Sequence, residues 1–213
     1  MKNNLMYRAA NMAAAPAAVA VIISIAVIVT VLTRPIYYFD IEKLDIPQKS
    51  GISAEACRLN YDTLIDYNLP GGESELVFPT LPMSEEGRIH FAEVKDIFSA
   101  MQLIAAAGII LIALWVWRWR HHTMWIKYTV ILTIVAAGVA GLAMTIDWEW
   151  AFETMHKIFF DNDYWLFDPH TDPVITILPE EFFMHCGIFI VVLISIETFG
   201  LGMIYRRMNT CRN

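Results

Sequence analysis

Four blocks of apolar residues set the layout of this chain. Residues 12–32, 97–117, 128–146 and 182–205 contain a single Asp, Glu, Lys or Arg between them, Glu197. Each block is about 20 residues long, which is what an α-helix rising 1.5 Å per residue needs to cross a hydrocarbon core about 30 Å thick. A helix half buried in a soluble core would interrupt such blocks with a polar face, and these have none. The pattern predicts an all-α membrane protein with four transmembrane helices, folded as one integral membrane domain over residues 1–213.

The two long connections, about 34–96 and 147–181, alternate polar and apolar positions on a shorter scale. In "RPIYYFD" the adjacent Tyr37 and Tyr38 suit the aromatic belt of a bilayer surface. Ser53 predicts the cap of a helix running to about Asn68, with Ala56, Leu59, Thr63, Leu64 and Tyr67 on its apolar side. "PGG" ends that helix. "ESELVFPTLPM" then has the alternation and proline punctuation of a short strand or β-hairpin. Ser84, followed by Glu85 and Glu86, opens a helix that runs without a breaker into the second block. In the second connection, "DWEWAFETMHKIFF" reads as a helix continuing beyond the third block. "DNDYWLFDPHTDP" turns the chain back, and Pro179, Glu180 and Glu181 begin the last helix. Together the two connections predict a small cap of short helices with a β-hairpin.

Composition agrees with the pattern. The chain is 57% hydrophobic and 17% charged, with a mean hydropathy of +0.48, far from the balance of a soluble domain. Lysine and arginine near span ends mark the cytoplasmic side. Lys2 and Arg8 precede the first span, Arg118, Arg120 and Lys127 bracket the short turn, and Arg206, Arg207 and Arg212 follow the last. Both termini are therefore expected in the cytoplasm. The two long connections are expected outside, with nearly all of the acid behind the net charge of −7. Arg34, at the outer end of the first span, runs against this. The first apolar block exceeds a signal-peptide core, and its "AAAPAA" precedes that core, so the helix is expected to be retained. Cys57 is expected outside, Cys186 in the last span and Cys211 in the inner tail, so no two share an environment for pairing. No nucleic-acid partner is expected, no phosphate loop occurs, and the oligomeric state is left open. Glu197 costs roughly +3 kcal/mol on insertion scales, which the surrounding apolar residues outweigh; a protonated acid bonded to a neighbouring helix is the expectation.

Candidate chemistry concentrates on two histidines. His90 lies on the entry helix of the second span, with Glu86 and Glu93 four residues before and three after it, within helical reach. His156 has Glu153 one turn before it. A carboxylate that holds an imidazole in one tautomer is a device of acid/base catalysis, but acidic surface loops offer the same pairing. Three other readings stay open on the residues alone. His90, His156, His170 and nearby carboxylates are candidates for an outer-face metal-dependent hydrolase, although no H-x-x-x-H or H-E-x-x-H pair occurs. Cys57 is a candidate nucleophile for a covalent route. A non-enzymatic envelope protein would leave the histidines incidental.

Two stretches carry a resemblance. "MSEEGRIHFAEVKDIF" resembles the signature S-x-x-G-x-x-H-F-x-(E/D)-V-K, and "FETMHKIFFDNDYWLFDPHTDPVITILPEEFF" resembles F-H-x-x-F-F-x-N-D-x-W-x-F-x-P-x-x-D-P-(V/I)-I-x-x-L-P, with Met155 standing where the signature has the Phe before His156. Both belong to the lipoprotein intramolecular transacylase (Lit) family of Gram-positive bacteria, and the likeness covers nearly the whole chain. The resemblance implies a four-helix enzyme of the bacterial cytoplasmic membrane with its site on the extracytoplasmic face. It implies a diacylglyceryl-modified lipoprotein as substrate, membrane lipid as surroundings, and no cofactor or metal. The reaction implied moves the sn-2 acyl chain to the α-amine of the N-terminal cysteine, giving the lyso form. His90 and His156 carry over as the catalytic pair. Ser84, Gly87, Glu93, Lys95, Asn162, Asp163, Trp165, Asp168 and Asp172 fall on positions of support or substrate contact, and Glu153 joins them as the neighbour of His156. Oxyanion donors remain open among Asn162, Lys95, Lys157 and backbone amides. His185 is expected to approach the site; His121, His122 and His170 match no functional position.

Overall fold

The computed structural model describes residues 2–119 and 123–210, with side chains over 13–118 and from 123 to 210. Arg120, His121, His122, Cys211 and Arg212 lie outside the described residues, as do the side chains of Lys2 and Arg8. The described chain is helical: α1 Lys2–Leu32, α2 Pro35–Lys43, α3 Ile46–Ser50, α4 Ala54–Tyr67, α5 Glu85–Trp119, α6 Met124–Ile146, α7 Trp148–Phe159, α8 Val174–Ile177 and α9 Glu180–Thr210. Four helices, α1, α5, α6 and α9, are long and apolar enough to cross a membrane, as the hydropathy pattern requires. The first twelve residues of α5 carry six charged side chains before its apolar stretch begins at Ile97.

The chain divides into two compact units. One comprises Met1–Ile28, Met101–Ala143 and Phe189–Asn213. Its small cores join Ala18 to Trp125 and Ile126, and Ile22 and Ala26 to Ile194. Gly108 admits Val21 so closely that a Cβ there would lie 2.1 Å from Cγ2, so glycine is required for α1 and α5 to meet. A groove of about 550 Å³ runs between α6 and α9 and contains no imidazole. Glu197 Oε2, on α9, is buried without a hydrogen-bond partner among the described residues, so the bond expected from a neighbouring helix is not found at that atom.

The other unit comprises Val29–Ala100 and Met144–Ile188, and its core is aromatic. Tyr37 stacks on Tyr61 at 4.0 Å, and the edge of Phe182 meets both rings. The Tyr37 hydroxyl donates to the Ile177 carbonyl at 2.8 Å. Tyr37 is fully buried, which corrects the expectation of an interfacial anchor: its hydroxyl finds a partner inside the fold instead of at the lipid boundary. Tyr38 donates to Asp62. Arg34, the basic residue out of place by the charge rule, bridges Asp62 and Asp66 of α4. Neutralised by two carboxylates, it says little about sidedness.

Three local expectations change. Ser53 caps α4 through the Ala56 amide, as predicted, but the buried face is Cys57, Asn60, Tyr61, Leu64, Ile65 and Tyr67, while Leu59 is exposed. The stripe is rotated because Asn60, polar by type, faces inward to bond Thr80. That bond also answers the predicted β-hairpin: no strand occurs among the described residues. The Asn60 amide donates to Thr80 Oγ1 and its carbonyl accepts the Thr80 N–H, and Pro79 and Pro82 supply no N–H for a ladder. The alternation is real, with Leu76 and Phe78 buried and Val77 exposed, but it belongs to a single extended segment plugged into the core. Finally, α6 and α7 are separate helices. Asp147 is extended and caps α7 by accepting the Trp150 N–H.

Candidate active site

Sequence fixes the start of α5 before any tertiary contact does. Ser84 Oγ accepts the Gly87 N–H at 2.9 Å, closing the first turn. The motif residue Asp172, 2% exposed, then ties that turn to the loop following α7. Its Oδ1 accepts the Ser84 N–H at 2.7 Å and its Oδ2 accepts from the Thr171 hydroxyl. A Cβ on Gly87 would lie 2.4 Å from Asp172 Oδ1, so only glycine lets the carboxylate in. Asp168 shapes the same loop, its side chain accepting the His170 N–H and its carbonyl the Thr171 and Asp172 amides. Ser84, Gly87, Asp168 and Asp172 are thus brought together as a lock that sets two motifs in register.

The lock brings the two histidines face to face. His90 on α5 and His156 on α7 lie 6.2 Å apart between ring centroids, tilted by 30°. Both are buried, at 6% and 9% exposure. Phe160 lies against both rings, at 4.7 Å from His90 and 5.7 Å from His156. Phe167 meets His90 edge-on at 5.4 Å, Phe152 lies 4.2 Å from His156, and Trp165 stacks on His156 at 4.7 Å. At this separation a proton on one imidazole disfavours a proton on the other.

His156 has a defined tautomer. Its Nδ1 is 2.8 Å from the Phe152 carbonyl. A carbonyl only accepts, so Nδ1 carries the hydrogen and Nε2 is the basic atom of the neutral ring. Burial holds the His156 pKa below the usual imidazole value, partly offset by this hydrogen bond, so the ring is neutral near pH 7. The orienter expected for it, Glu153, turns instead to Lys157 at 2.7 Å.

Of the two carboxylates within helical reach of His90, Glu86 lines a cleft beside Ser84 and Asp172, and Glu93 accepts from the Asn162 amide at 2.8 Å through Oε1. Around the pair, three buried polar atoms on the motif stretches lack a hydrogen-bond partner among the described residues: His90 Nδ1, Glu93 Oε2 and Trp165 Nε1. Each unmade bond of this kind costs about 1–3 kcal/mol, and such groups in a native fold call for a ligand, water or strain to explain them. Their residues come from the two motif stretches that carry the histidine pair.

Other predicted residues serve elsewhere. The Lys95 ammonium donates to the Gly72 and Glu73 carbonyls and lies over the Tyr67 ring, pinning the "PGG" turn. Asp163 lines a cleft of about 180 Å³ with Ser84, Glu86, Phe167, Asp168 and Asp172. His170 is exposed. Cys57 is fully buried with Sγ toward the Ile52 carbonyl, and burial pushes its thiol pKa up, the reverse of an activated thiolate. Among the described residues no three His, Cys, Asp or Glu side chains are grouped to hold a metal. His185, expected near the pair, bonds Asp40. The sequence reading missed that pairing, and it also missed Phe152, Phe160 and Phe167 as walls; the F-F and W-x-F of the second motif were the available signal for Phe160 and Phe167.

Comparison with known proteins agrees with this geometry. The family model described as lipoprotein intramolecular transacylase Lit matches residues 14–183. The in meso structure of the membrane-integral lipoprotein intramolecular transacylase Lit from Bacillus cereus is 32% identical, covers 98% of each chain and superposes with a TM-score of 0.91. Structures of that protein with a single histidine changed to arginine or to alanine match with TM-scores of 0.85 and 0.82, each at 32% identity and covering 99% of this chain and 95% or 96% of the other. No curated protein matches. With a family match over most of its length and a solved relative covering nearly all of it, the chain belongs to the lipoprotein intramolecular transacylase family, membrane-integral enzymes of acyl transfer.

Proposed function

We propose that this enzyme moves the sn-2 acyl chain of a diacylglyceryl-modified lipoprotein to the α-amine of the same N-terminal cysteine, with His156 as base and His90 as acid. The observation that carries this reading is the pair of buried imidazoles 6.2 Å apart, both held neutral near pH 7, His90 by burial and the neighbouring His156 that push its pKa down to about 4 and His156 by burial, with His156 Nε2 fixed as acceptor. An α-ammonium with a reference pKa of about 7.7–8.0 is mostly protonated at neutral pH and cannot attack a carbonyl. His156 Nε2 takes the proton, and the amine nitrogen then bonds to the ester carbonyl carbon. The second proton on nitrogen passes through His90 to the glyceryl oxygen as the tetrahedral intermediate collapses and the carbon–oxygen bond to glycerol breaks, while the first leaves His156 for solvent. An ester becomes an amide and an alcohol, so atoms and charge balance without an external reductant or energy source.

Glu93 supports the amine side. Its Oε1 is held by Asn162 while Oε2 is unpartnered, an acceptor suited to an ammonium. The aromatic walls exclude water, which strengthens each of these interactions. Because amine and ester belong to one molecule, holding them together supplies much of the acceleration. This reading takes residues 1–213 as one domain of a bacterial cytoplasmic membrane, with both termini inside and the histidines at the outer face.

Mass spectrometry of a lipoprotein N-terminal peptide tests the proposal in cells expressing the wild-type enzyme, His90→Ala or His156→Ala. The wild type should yield one acyl group on nitrogen and one on glycerol. Either variant, inserted normally, should leave two acyl groups on glycerol and a free amine. Full conversion by a variant removes that histidine from the mechanism.

A further inference from the structure

Transfer of an acyl group passes through an oxyanion, which needs a donor aimed at the former carbonyl oxygen. The side chains that sequence offers for this are already engaged. The Asn162 amide donates to Glu93, the Lys95 ammonium donates to two backbone carbonyls beside the Tyr67 ring, and Lys157 pairs with Glu153. Of the buried nitrogen atoms of this unit without a partner among the described residues, His90 Nδ1, Trp148 Nε1 and Trp165 Nε1, the Trp165 indole N–H belongs to the ring stacked on His156. We propose that the Trp165 Nε1–H receives the acyl oxygen as it becomes negative, making Trp165 a catalytic residue of the transfer.

The inference rests on the acyl-transfer reading above and adds to it the group that stabilises the transition state. Trp165 is 8% exposed and stacked on His156 with 4.7 Å between centroids and 27° between planes. Stacking fixes the indole against the ring proposed as base, so base and donor address neighbouring atoms of one reacting centre. The backbone just before it is set as well, because Asn162 Oδ1 accepts the Tyr164 N–H at 3.0 Å. An indole nitrogen donates and never accepts, so it cannot compete with His156 for the amine proton. A buried N–H that lacks an acceptor at rest gains most from a substrate whose oxygen gathers charge, which is stronger binding of the transition state than of the ester.

The test is a change that removes the N–H and keeps the ring. Replacing Trp165 by 3-benzothienylalanine puts sulfur where the N–H stood and preserves stacking on His156; Trp165→Phe is the simpler companion. Full-length enzymes in phospholipid vesicles would be assayed on a synthetic diacylglyceryl-cysteinyl peptide with a free amine. The benzothienyl variant should lose about 10²–10³ in kcat with KM changed by less than about threefold and an unchanged thermal midpoint. Unchanged kcat, or a rise in KM alone, overturns the assignment. A wild-type enzyme that moves no acyl group to nitrogen overturns the functional reading itself, whereas an active wild type matched by the benzothienyl variant removes only Trp165.

Discussion

His185 Nδ1 lies 2.9 Å from both carboxylate oxygens of Asp40, a residue 145 positions earlier in the chain. The carboxylate–imidazole pair sought beside His90 and His156 thus occurs at a third histidine, where it joins α2 to α9. Asp40 is fully buried and His185 only partly, and among the described residues His185 is the hydrogen-bond partner of that carboxylate. His185→Ala, which strands a buried carboxylate, should lower the thermal midpoint more than Asp40→Ala, which leaves an imidazole that water can reach. Hydrogen bonds to charged groups suggest losses of about 1.5–3 kcal/mol. Thermal unfolding of the detergent-solubilised variants would read the order, and equal midpoints to wild type would remove the pair from the stability of the fold.

Acid should affect activity later than an ordinary imidazole would allow. Burial lowers the His156 pKa from 6.5, so the base form survives to lower pH. The acidic limb of kcat/KM should therefore lie below pH 6.5 in a pH–rate profile. Stability has the matching sign. The unfolded chain takes up the proton at 6.5 and the folded one only below it, so the contribution of His156 is complete above 6.5 and declines as pH falls toward the lowered value. His90, whose pKa burial and the neighbouring His156 push down to about 4, contributes with the same sign, so His156→Phe should reduce the slope below 6.5 without abolishing it.

Glu93→Gln keeps an oxygen for the Asn162 amide while removing the charge. With Glu93 receiving the substrate's ammonium, kcat/KM on a free-amine lipopeptide should fall about tenfold to hundredfold, the worth of one charge-assisted hydrogen bond. Competitive inhibition by a lipopeptide lacking the amine should stay as in wild type. A parallel loss of affinity for that analogue would mean that Glu93 holds the fold and not the amine.

Gly87→Ala puts a Cβ 2.4 Å from Asp172 Oδ1. Overpacking of this kind costs about 1–3 kcal/mol. Asp172→Ala removes the obstacle together with the bond to the Ser84 N–H, so the double variant should be less destabilised than the sum of the single ones. Additive thermal shifts would show that the two residues do not meet.

Cys57→Ala should keep full transfer activity, because the buried thiol is pushed toward its neutral form. An inactive but folded Cys57→Ala enzyme would reopen the covalent route.

Much of the site was legible because its motifs are local. Ser84 caps the helix three residues ahead, and Asn162, Trp165 and the F-F pair lie within ten residues of His156. What misled were partners inferred from helical reach. Spacing offers Glu86 or Glu93 to His90 and Glu153 to His156, yet a side chain within helical reach of one residue is free to choose another partner, across the fold or along its own helix. Glu93 took Asn162, 69 positions away, and Glu153 took Lys157. The hairpin failed for the same reason: Asn60 claimed the Thr80 backbone group that a ladder would have used.

The sequence alone determined where helices long enough for a membrane lie. Lipid offers no partner for a peptide group, so a span must satisfy itself along one continuous apolar run, and that requirement is written residue by residue. Tertiary structure decided which polar atoms meet. Ser84 with Asp172, Tyr37 with Ile177 and Asp40 with His185 are 88, 140 and 145 positions apart. Such bonds depend on where folded elements bring their ends, and spacing along the chain carries no record of that.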